Sequence, residues 1–442
     1  MKQKTIGLVC ALAVLLAGST EGQNAGGSKP ATDGTNGGLS PNVEAALKIV
    51  RSSDKKILNG DMDGALADYN QAIAIDPDCA PAYIARANIR DAEGDTDGAL
   101  ADCDQAIAIK PGIAISYTER GNIKRRAGDM AGAIRDYDKS IAIKPKYAFA
   151  FTGRGAAKKA TGDQKGAAAD YDEAIALDST NYLAYMERGN FEKESGRYDA
   201  ALADYNLAMT LNPKGFIVYI YIGRGGVKDA KGDVNGAMAD FNQAIALKPK
   251  IAIGYDERGV LKKQNGDIDG AIEDYQKGIA LSPKSPFGYD YRANAYVVMR
   301  NSTAALADYR KCCEVSQADQ DYPHIYIYLI RARTGEMEAA GKELGAYIAA
   351  RKRIMPGDFI GNIAGYLLGS ITEAELFSAA GYPDSTELKG ETCKAWYFSG
   401  MKRLLGGDKK GAAEYFQKCV ATQQKTFAEY QMAESELKAL GE

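Results

Sequence analysis

Few residues of this chain have types and spacing that could do chemistry. His324 is the one histidine in 442 residues, so any metal site or acid/base device that needs two imidazoles is closed to the protein. Beside Pro323 and Tyr326 it reads as a helix-start residue rather than a ligand. Four carboxylates, Asp358, Glu373, Glu375 and Asp384, gather within residues 354–392 and are the candidates for acid/base hydrolysis; helix caps and solvated faces are the commoner use of such residues. The run Gly223-Arg224-Gly225-Gly226 follows no strand and lacks a lysine-serine/threonine signature, so its glycines serve packing and not a phosphate. Cysteines stand at 10, 79, 103, 312, 313, 393 and 419 with no C-x-x-C pair, against thioredoxin-like and zinc chemistry. These observations point to a non-enzyme with no catalytic residue, no metal site and no cofactor.

The elements that carry these residues begin at an export-like segment. Met1-Lys2-Gln3-Lys4 leads into an apolar run, Ile6 to Ala17, that ends in Gly18-Ser19-Thr20. Residues 1–19 are therefore expected to be a secretory signal peptide, too short to span a bilayer. Ser19 stands where a lipoprotein would have its acceptor cysteine, so no stable membrane anchor is expected after cleavage, and the protein is expected to be periplasmic or secreted. Residues 20–42, rich in Gly, Ser, Asn and Thr, read as a flexible linker. Lysine and arginine total 55 against 58 aspartate and glutamate, which lacks the basic footprint of a nucleic-acid binder.

From residue 43 to 319 one pattern repeats. Gly60-Asp61, Gly94-Asp95, Gly128-Asp129, Gly162-Asp163, Gly196-Arg197, Gly232-Asp233, Gly266-Asp267 and Arg300-Asn301 follow one another in steps of 34, 34, 34, 34, 36, 34 and 34. The longer step comes from two extra residues near Pro213-Lys214-Gly215-Phe216. In each unit the glycine closes one helix, the aspartate caps the next, and a proline such as Pro111 follows it. Small residues such as Ala87, Ala99 and Gly121 let helices approach, and Tyr69, Tyr137, Tyr171, Tyr205, Tyr275 and Tyr309 fill the space between them. Cys103, at the same place, reads as a packed thiol. The period and pattern resemble the tetratricopeptide repeat. The resemblance implies an all-α, right-handed superhelical solenoid of about eight regular repeats, a degenerate repeat, and a carboxy-terminal repeat with a capping helix.

Two sets of residues recur inside the units. An arginine is matched by an aspartate on the second helix: Arg86 with Asp102, Arg120 with Asp136, Arg154 with Asp170, Arg188 with Asp204, Arg224 with Asp240, Arg258 with Asp274 and Arg292 with Asp308. They are expected to meet as a semi-buried ladder of charge-assisted hydrogen bonds that fixes the stacking angle. In tetratricopeptide arrays the first helix of each unit lines the concave groove, which here holds Asn88, Asn122, Asn190 and Asn294 at one recurring position. An amide there can donate to and accept from an extended peptide, although bonding to adjacent helices is an equal alternative. Arg125, Lys159, Met186, Lys193, Tyr219, Asp256, Lys263, Phe287 and Asp290 complete the expected partner-binding set. The carboxylate clamp that holds chaperone tails is missing, since Ile84, Thr118, Thr152 and Met186 take its places.

Residues 320–392 read as a degenerate repeat and an irregular helical module, with Arg351-Lys352-Arg353 at a helix end, and residues 393–442 as a last repeat with a cap from Phe427 to Leu440. Cys393 and Cys419 fall at the same end of this last helix pair and are the candidate disulfide. Met355-Pro356, Leu367-Leu368-Gly369-Ser370-Ile371-Thr372, Tyr397-Phe398-Ser399-Gly400, Leu405-Gly406-Gly407-Asp408 and Phe427-Ala428-Glu429-Tyr430 resemble the carboxy-terminal half of the bacterial cell-envelope lipoprotein NlpI and its secreted relatives. The resemblance implies an adaptor for a processing protease and peptidoglycan hydrolases, often a homodimer. The expected function is thus a protein-protein interaction scaffold of the cell envelope; the alternatives are a periplasmic peptide-holding chaperone and the hydrolase of residues 354–392.

Overall fold

Two short signals set each hairpin. The first is the glycine that ends the leading helix: at Gly60, Gly94, Gly128, Gly162, Gly196, Gly232 and Gly266 φ lies between +73° and +99°, a left-handed backbone that disfavours any side chain with a Cβ. The second is the aspartate that follows. The Asp95 carboxylate accepts the backbone N–H of Gly98 at 2.9 Å, and Asp61, Asp129, Asp163, Asp233, Asp267 and Asp408 cap their helices in the same way. A Cβ on Gly98 would stand 2.1 Å from Asp95 Oδ2, so the cap also explains why glycine recurs three residues after each of these aspartates. Arg197, which makes no such cap, is followed at that distance by Ala200.

The structure, a computed structural model, describes residues 39–211, 216–316, 320–351, 358–381 and 389–442. The signal segment, most of the linker, Pro213 to Gly215, Lys352, Arg353, Met355-Pro356 and Asp384 lie outside the described residues. Among those described there are helices and no strand. The hairpins are α1 (Pro41–Leu58) with α2 (Met62–Ile75), α3 (Ala80–Glu93) with α4 (Thr96–Ile109), and α5 (Ala114–Arg126) with α6 (Met130–Ile143). Next come α7 (Ala148–Ala160) with α8 (Gln164–Leu177), α9 (Tyr182–Glu194) with α10 (Tyr198–Thr210), and α11 (Ile217–Ala230) with α12 (Val234–Leu247). They continue as α13 (Ala252–Gln264) with α14 (Ile268–Leu281), α15 (Pro286–Val298) with α16 (Ser302–Val315), and α17 (Asp321–Arg333) with α18 (Met337–Ala350). The short helices α19 (Phe359–Leu368) and α20 (Glu373–Ala379) precede α21 (Lys389–Leu405), α22 (Lys409–Ala421) and α23 (Ala428–Leu440). Helix α1 opens at Pro41 under a Ser40 cap, two residues earlier than the sequence pattern suggests.

The chain divides into two compact units at Val227 and Lys228. In the amino-terminal unit the fully buried rings of Tyr69, Tyr137, Tyr171 and Tyr205 project from the second helices. Each ring takes the room that small residues leave. A Cβ on Gly121 or on Gly153 of the following repeat would come within 3.0 or 2.5 Å of the Tyr137 ring, so one tyrosine seals both its own hairpin and the next interface. Each such ring contributes about 1.5–3 kcal/mol by burial.

In the carboxy-terminal unit Phe241, Tyr275 and Tyr309 continue the pattern, but the core then widens. Tyr309 stacks on Tyr326 at 5.3 Å, Tyr326 meets Phe398 at 6.0 Å, and the same cluster takes in Tyr430, Met432 and Ala433 of α23. Residues 429–433 are all buried, so the first turn of α23 is enclosed around its whole circumference, while its last turn reaches the surface at Lys438 and Ala439. Its Ser435 Oγ donates to the Val298 carbonyl at 2.8 Å, and Glu436 pairs with Arg300 at 3.1 Å and with Arg333. The final helix therefore packs against the leading helices of earlier repeats, where the sequence reading expected a simple end cap.

Candidate functional site

Five of the recurring arginines make three side-chain hydrogen bonds each. Arg154 donates from Nε and Nη2 to Asp170 at 2.9 and 2.6 Å, and from Nη1 to Asp138 of the preceding repeat at 2.6 Å. Arg86 does the same with Asp102 and Asn70, Arg120 with Asp136 and Asp104, Arg188 with Asp204 and Asp172, and Arg258 with Asp274 and Asn242. Arg292 donates twice to Asp308. Asp102, Asp136, Asp170 and Asp274 also receive a second cation four residues beyond the arginine, from Arg90, Lys124, Lys158 and Lys262. Arg86, Arg120, Arg154, Arg188 and Arg258 each rest on the aromatic ring three residues before them, as Arg154 does on Phe151 at 5.2 Å, whereas Arg292 lies over Tyr296, four residues after it. Arg224 lies over Tyr221 and donates to Asn206, Asp240 holds Lys228, and in the first repeat Ser53 and Lys56 serve Asp68. With donors and charge turned inward, these groups tie repeats together and offer no track to a ligand. The link back to the preceding repeat escaped sequence reasoning; its signal is the Asp or Asn two residues after the ladder aspartate, at 70, 104, 138, 172, 206 and 242.

The asparagines have divided roles. The carbonyl oxygens of Asn122, Asn190 and Asn294 accept the hydroxyls of Tyr137, Tyr205 and Tyr309 at 2.8, 2.6 and 2.8 Å. Those oxygens serve the fold, which removes the acceptor half of the peptide grip expected of them. Asn88 stands fifteen residues before Cys103, where those repeats have a tyrosine, and both of its amide atoms are buried with no hydrogen-bond partner among the described residues. Beside them Glu119 is fully buried and its carboxyl is pushed up to about 7 by desolvation, against the pull of Arg126 and Asn122. Arg126 is itself held by Asp91 at 2.7 Å, and burial drives the Cys103 thiol well above its usual range.

Of the other groove candidates in the amino-terminal unit, Arg125 reaches the Tyr137 hydroxyl, Lys159 pairs with Glu194 at 2.8 Å, and Met186 is buried. Lys193 makes no ion pair among the described residues; its amine lies 3.8 Å from where a Cβ on Gly226 would stand. Tyr219 is half-buried against Phe216. In the carboxy-terminal unit Phe287 is 63% exposed, while Asp256 is buried so close to α14 that a Cβ on Gly278 would meet it. Lys263 and Asp290 are partly buried. Burial pushes Lys263 down to about 8, against the pull of Asp290 and Glu429, and pushes Asp290 up to about 6. Glu429 belongs to α23, so this stretch of the groove is already in the field of the chain's own last helix.

The candidate hydrolytic carboxylates are committed elsewhere. Asp358 caps α19 and pairs with Arg351. Glu373 accepts from Arg403 and Tyr415, and Glu375 closes a reciprocal capping box with Thr372. His324 sits in the first turn of α17, stacked on Tyr347 at 3.7 Å, and burial lowers its pKa. The expected Cys393–Cys419 bridge is not formed. The two buried sulfurs are 3.2 Å apart as free thiols, at the same end of α21 and α22.

Two signatures described as tetratricopeptide repeat match the chain, one at residues 59–114 and 153–215 and the other at 114–147 and 254–285. The helix hairpins in these stretches are tetratricopeptide repeats. The APC/C hetero-tetramer Cut9-Hcn1 is similar at 17% identity and a TM-score of 0.52, over 65% of this chain and 56% of that one. The human IFIT1 dimer with PPP-AAAA is similar at 12% identity and a TM-score of 0.51, over 88% of this chain and 96% of that one. At these identities the likeness is one of fold. No curated protein matches the sequence. Tetratricopeptide repeats generally mediate protein-protein interaction, and no catalytic family is indicated.

Proposed function

We propose that the protein is a non-enzymatic adaptor of the bacterial cell envelope that holds partner proteins or peptides on the leading-helix face of its amino-terminal unit. The observation that carries this is the contrast between the two units. In the carboxy-terminal unit that face is packed against α23, whereas in the amino-terminal unit Lys193 stands on it without an ion pair among the described residues, at the repeat position that Lys159 holds one repeat earlier and one turn beyond Asn190. The capped and ion-paired Asp358, Glu373 and Glu375 weigh against the hydrolase reading. The envelope setting is supported by the signal-like start and by the resemblance of residues 320–440 to NlpI, which also supports proteases or peptidoglycan hydrolases as partners and a homodimer as the assembled state.

Affinity capture from an envelope fraction, read by mass spectrometry, tests the proposal. The full chain should enrich a small, reproducible set of envelope proteins, and Lys159→Glu with Lys193→Glu should lose them while helicity by circular dichroism is kept. Enrichment of nothing over a mock column sinks the adaptor. Capture of many unfolded chains, with no fixed partner, would favour a peptide-holding chaperone.

A further inference from the structure

The carboxy-terminal unit shows what chemistry the leading-helix face of these repeats accepts, because a helix is already seated there. Helix α23 presents Glu429 and Glu436, seven residues or two turns apart and so on one stripe. Glu429 accepts the Tyr326 hydroxyl at 2.7 Å, Glu436 pairs with Arg300 and Arg333, and Tyr430, Met432 and Ala433 bury between them. The receiving cations have fixed places in the repeat. Counted back from the turn residue, Lys263 is three before Gly266, Arg333 is two before Gly335, and Arg300 is itself the turn residue.

The amino-terminal unit repeats this chemistry in register. Arg125, Lys159 and Lys193 each stand three residues before the turn glycine of successive repeats, the place of Lys263, and Arg126 stands two before it, the place of Arg333. Arg126 and Lys159 are matched by Asp91 and Glu194; Lys193 is left with no ion pair among the described residues. Half-buried Ile115, Phe149 and Tyr219, near the starts of the leading helices, supply apolar surface.

We propose that the leading-helix face of the amino-terminal unit binds an acidic amphipathic helix of a partner protein, with two carboxylates about two turns apart that meet the row of Lys159 and Lys193. This rests on the adaptor reading and names the kind of segment that the adaptor takes. One carboxylate meets Lys193, which has no ion pair among the described residues, and the other competes with Glu194 for Lys159.

The test uses the full chain and a fluorescein-labelled peptide of residues 427–441, followed by anisotropy. Saturable binding is expected, falling with added salt. Lys159→Glu with Lys193→Glu should weaken it by at least about tenfold, and so should Glu429→Gln with Glu436→Gln in the peptide. Lys193→Gln alone, which breaks no ion pair among the described residues, should weaken it severalfold and covers the case in which the double reversal misfolds. No saturable binding overturns the inference. So does binding that ignores the lysines but is lost with Arg300→Gln and Arg333→Gln, because the peptide would then be taking the seat of α23. If envelope partners are captured but the peptide does not bind, this inference fails and the adaptor stands; if no partner is captured, the adaptor itself fails.

Discussion

Asn88 is an amide left behind by a missing ring. In three repeats a tyrosine hydroxyl donates to the asparagine fifteen residues before it, and Phe241, which has no hydroxyl, is matched by Gly226. Cys103 breaks the pairing, keeping Asn88 without the phenol. Cys103→Tyr has precedents on both sides of the ring, since Tyr309 packs beside Ala293 and Tyr171 is followed at the next repeat by Glu187. Relative to Cys103→Phe it should be more stable by about 1 kcal/mol in urea unfolding, and the difference should vanish with Asn88→Ala. Glu119, next to it, makes a pH prediction. Burial favours the neutral acid, so the folded chain keeps a proton that the unfolded chain releases between its ordinary value of 4.5 and about 7. Stability therefore falls as pH rises through that window. Glu119→Gln should stabilise the protein by on the order of 2 kcal/mol at pH 8 and by nearly nothing at pH 4; a gain that is equal at both pH values would show that the carboxyl titrates alike in the folded and unfolded chain.

At the scale of helices, the arginine ladder and the last hairpin carry separable loads. Asp170 is nearly buried between Arg154 and Lys158, so Asp170→Ala leaves two cations facing each other and should cost about 3–5 kcal/mol. Arg154→Lys keeps the charge but loses the fork to Asp170 and the reach to Asp138, and should cost less, about 1–2 kcal/mol, by urea unfolding. The last hairpin answers to redox state. Cys393 and Cys419 are buried sulfurs 3.2 Å apart on α21 and α22, so oxidised glutathione acting on the partly unfolded chain should join them, with two thiols oxidised to one disulfide and glutathione reduced. The joined form should be about 3 kcal/mol more stable, with dithiothreitol reversing the gain and Cys393→Ser abolishing it. Much of this scale was legible because its residues recur: Gly94, Asp95, Arg86 and Asp102 have counterparts at steps of 34 residues, with one step of 36. The division of labour among the asparagines was not, because Asn122 acquires its role only from Tyr137 on another helix.

For the whole molecule, the residues that occur once decide what the repeats cannot. The return of α23 depends on Ser435 meeting Val298 and on Glu436 meeting Arg300, 136 or 137 residues apart, and no periodicity announces contacts of that range. Arg300 carries the trace of this closure. It holds φ +61° where the other repeats have glycine, a left-handed backbone that costs an L-residue about 1–2 kcal/mol, and its guanidinium grips Glu436 together with Arg333. The two units should consequently unfold differently. Among the described residues each repeat of the amino-terminal unit is held by its neighbours alone, as in any solenoid, while the carboxy-terminal unit is closed by these distant contacts and by the shared core of Tyr309, Tyr326, Phe398 and Tyr430. Trp396, the sole tryptophan, lies in the carboxy-terminal unit, so its fluorescence reports that unit while far-ultraviolet circular dichroism reports both. In urea the dichroism transition should begin at lower denaturant and run broader than the fluorescence transition. Arg300→Ala, which keeps the backbone cost and loses the ion pair, should move the fluorescence midpoint toward the dichroism onset, and Arg300→Gly, which relieves the backbone, should move it less. Coincident curves for the native chain would mean that the two units unfold as one cooperative body, and that the closure by α23 does not set the stability of the carboxy-terminal unit apart.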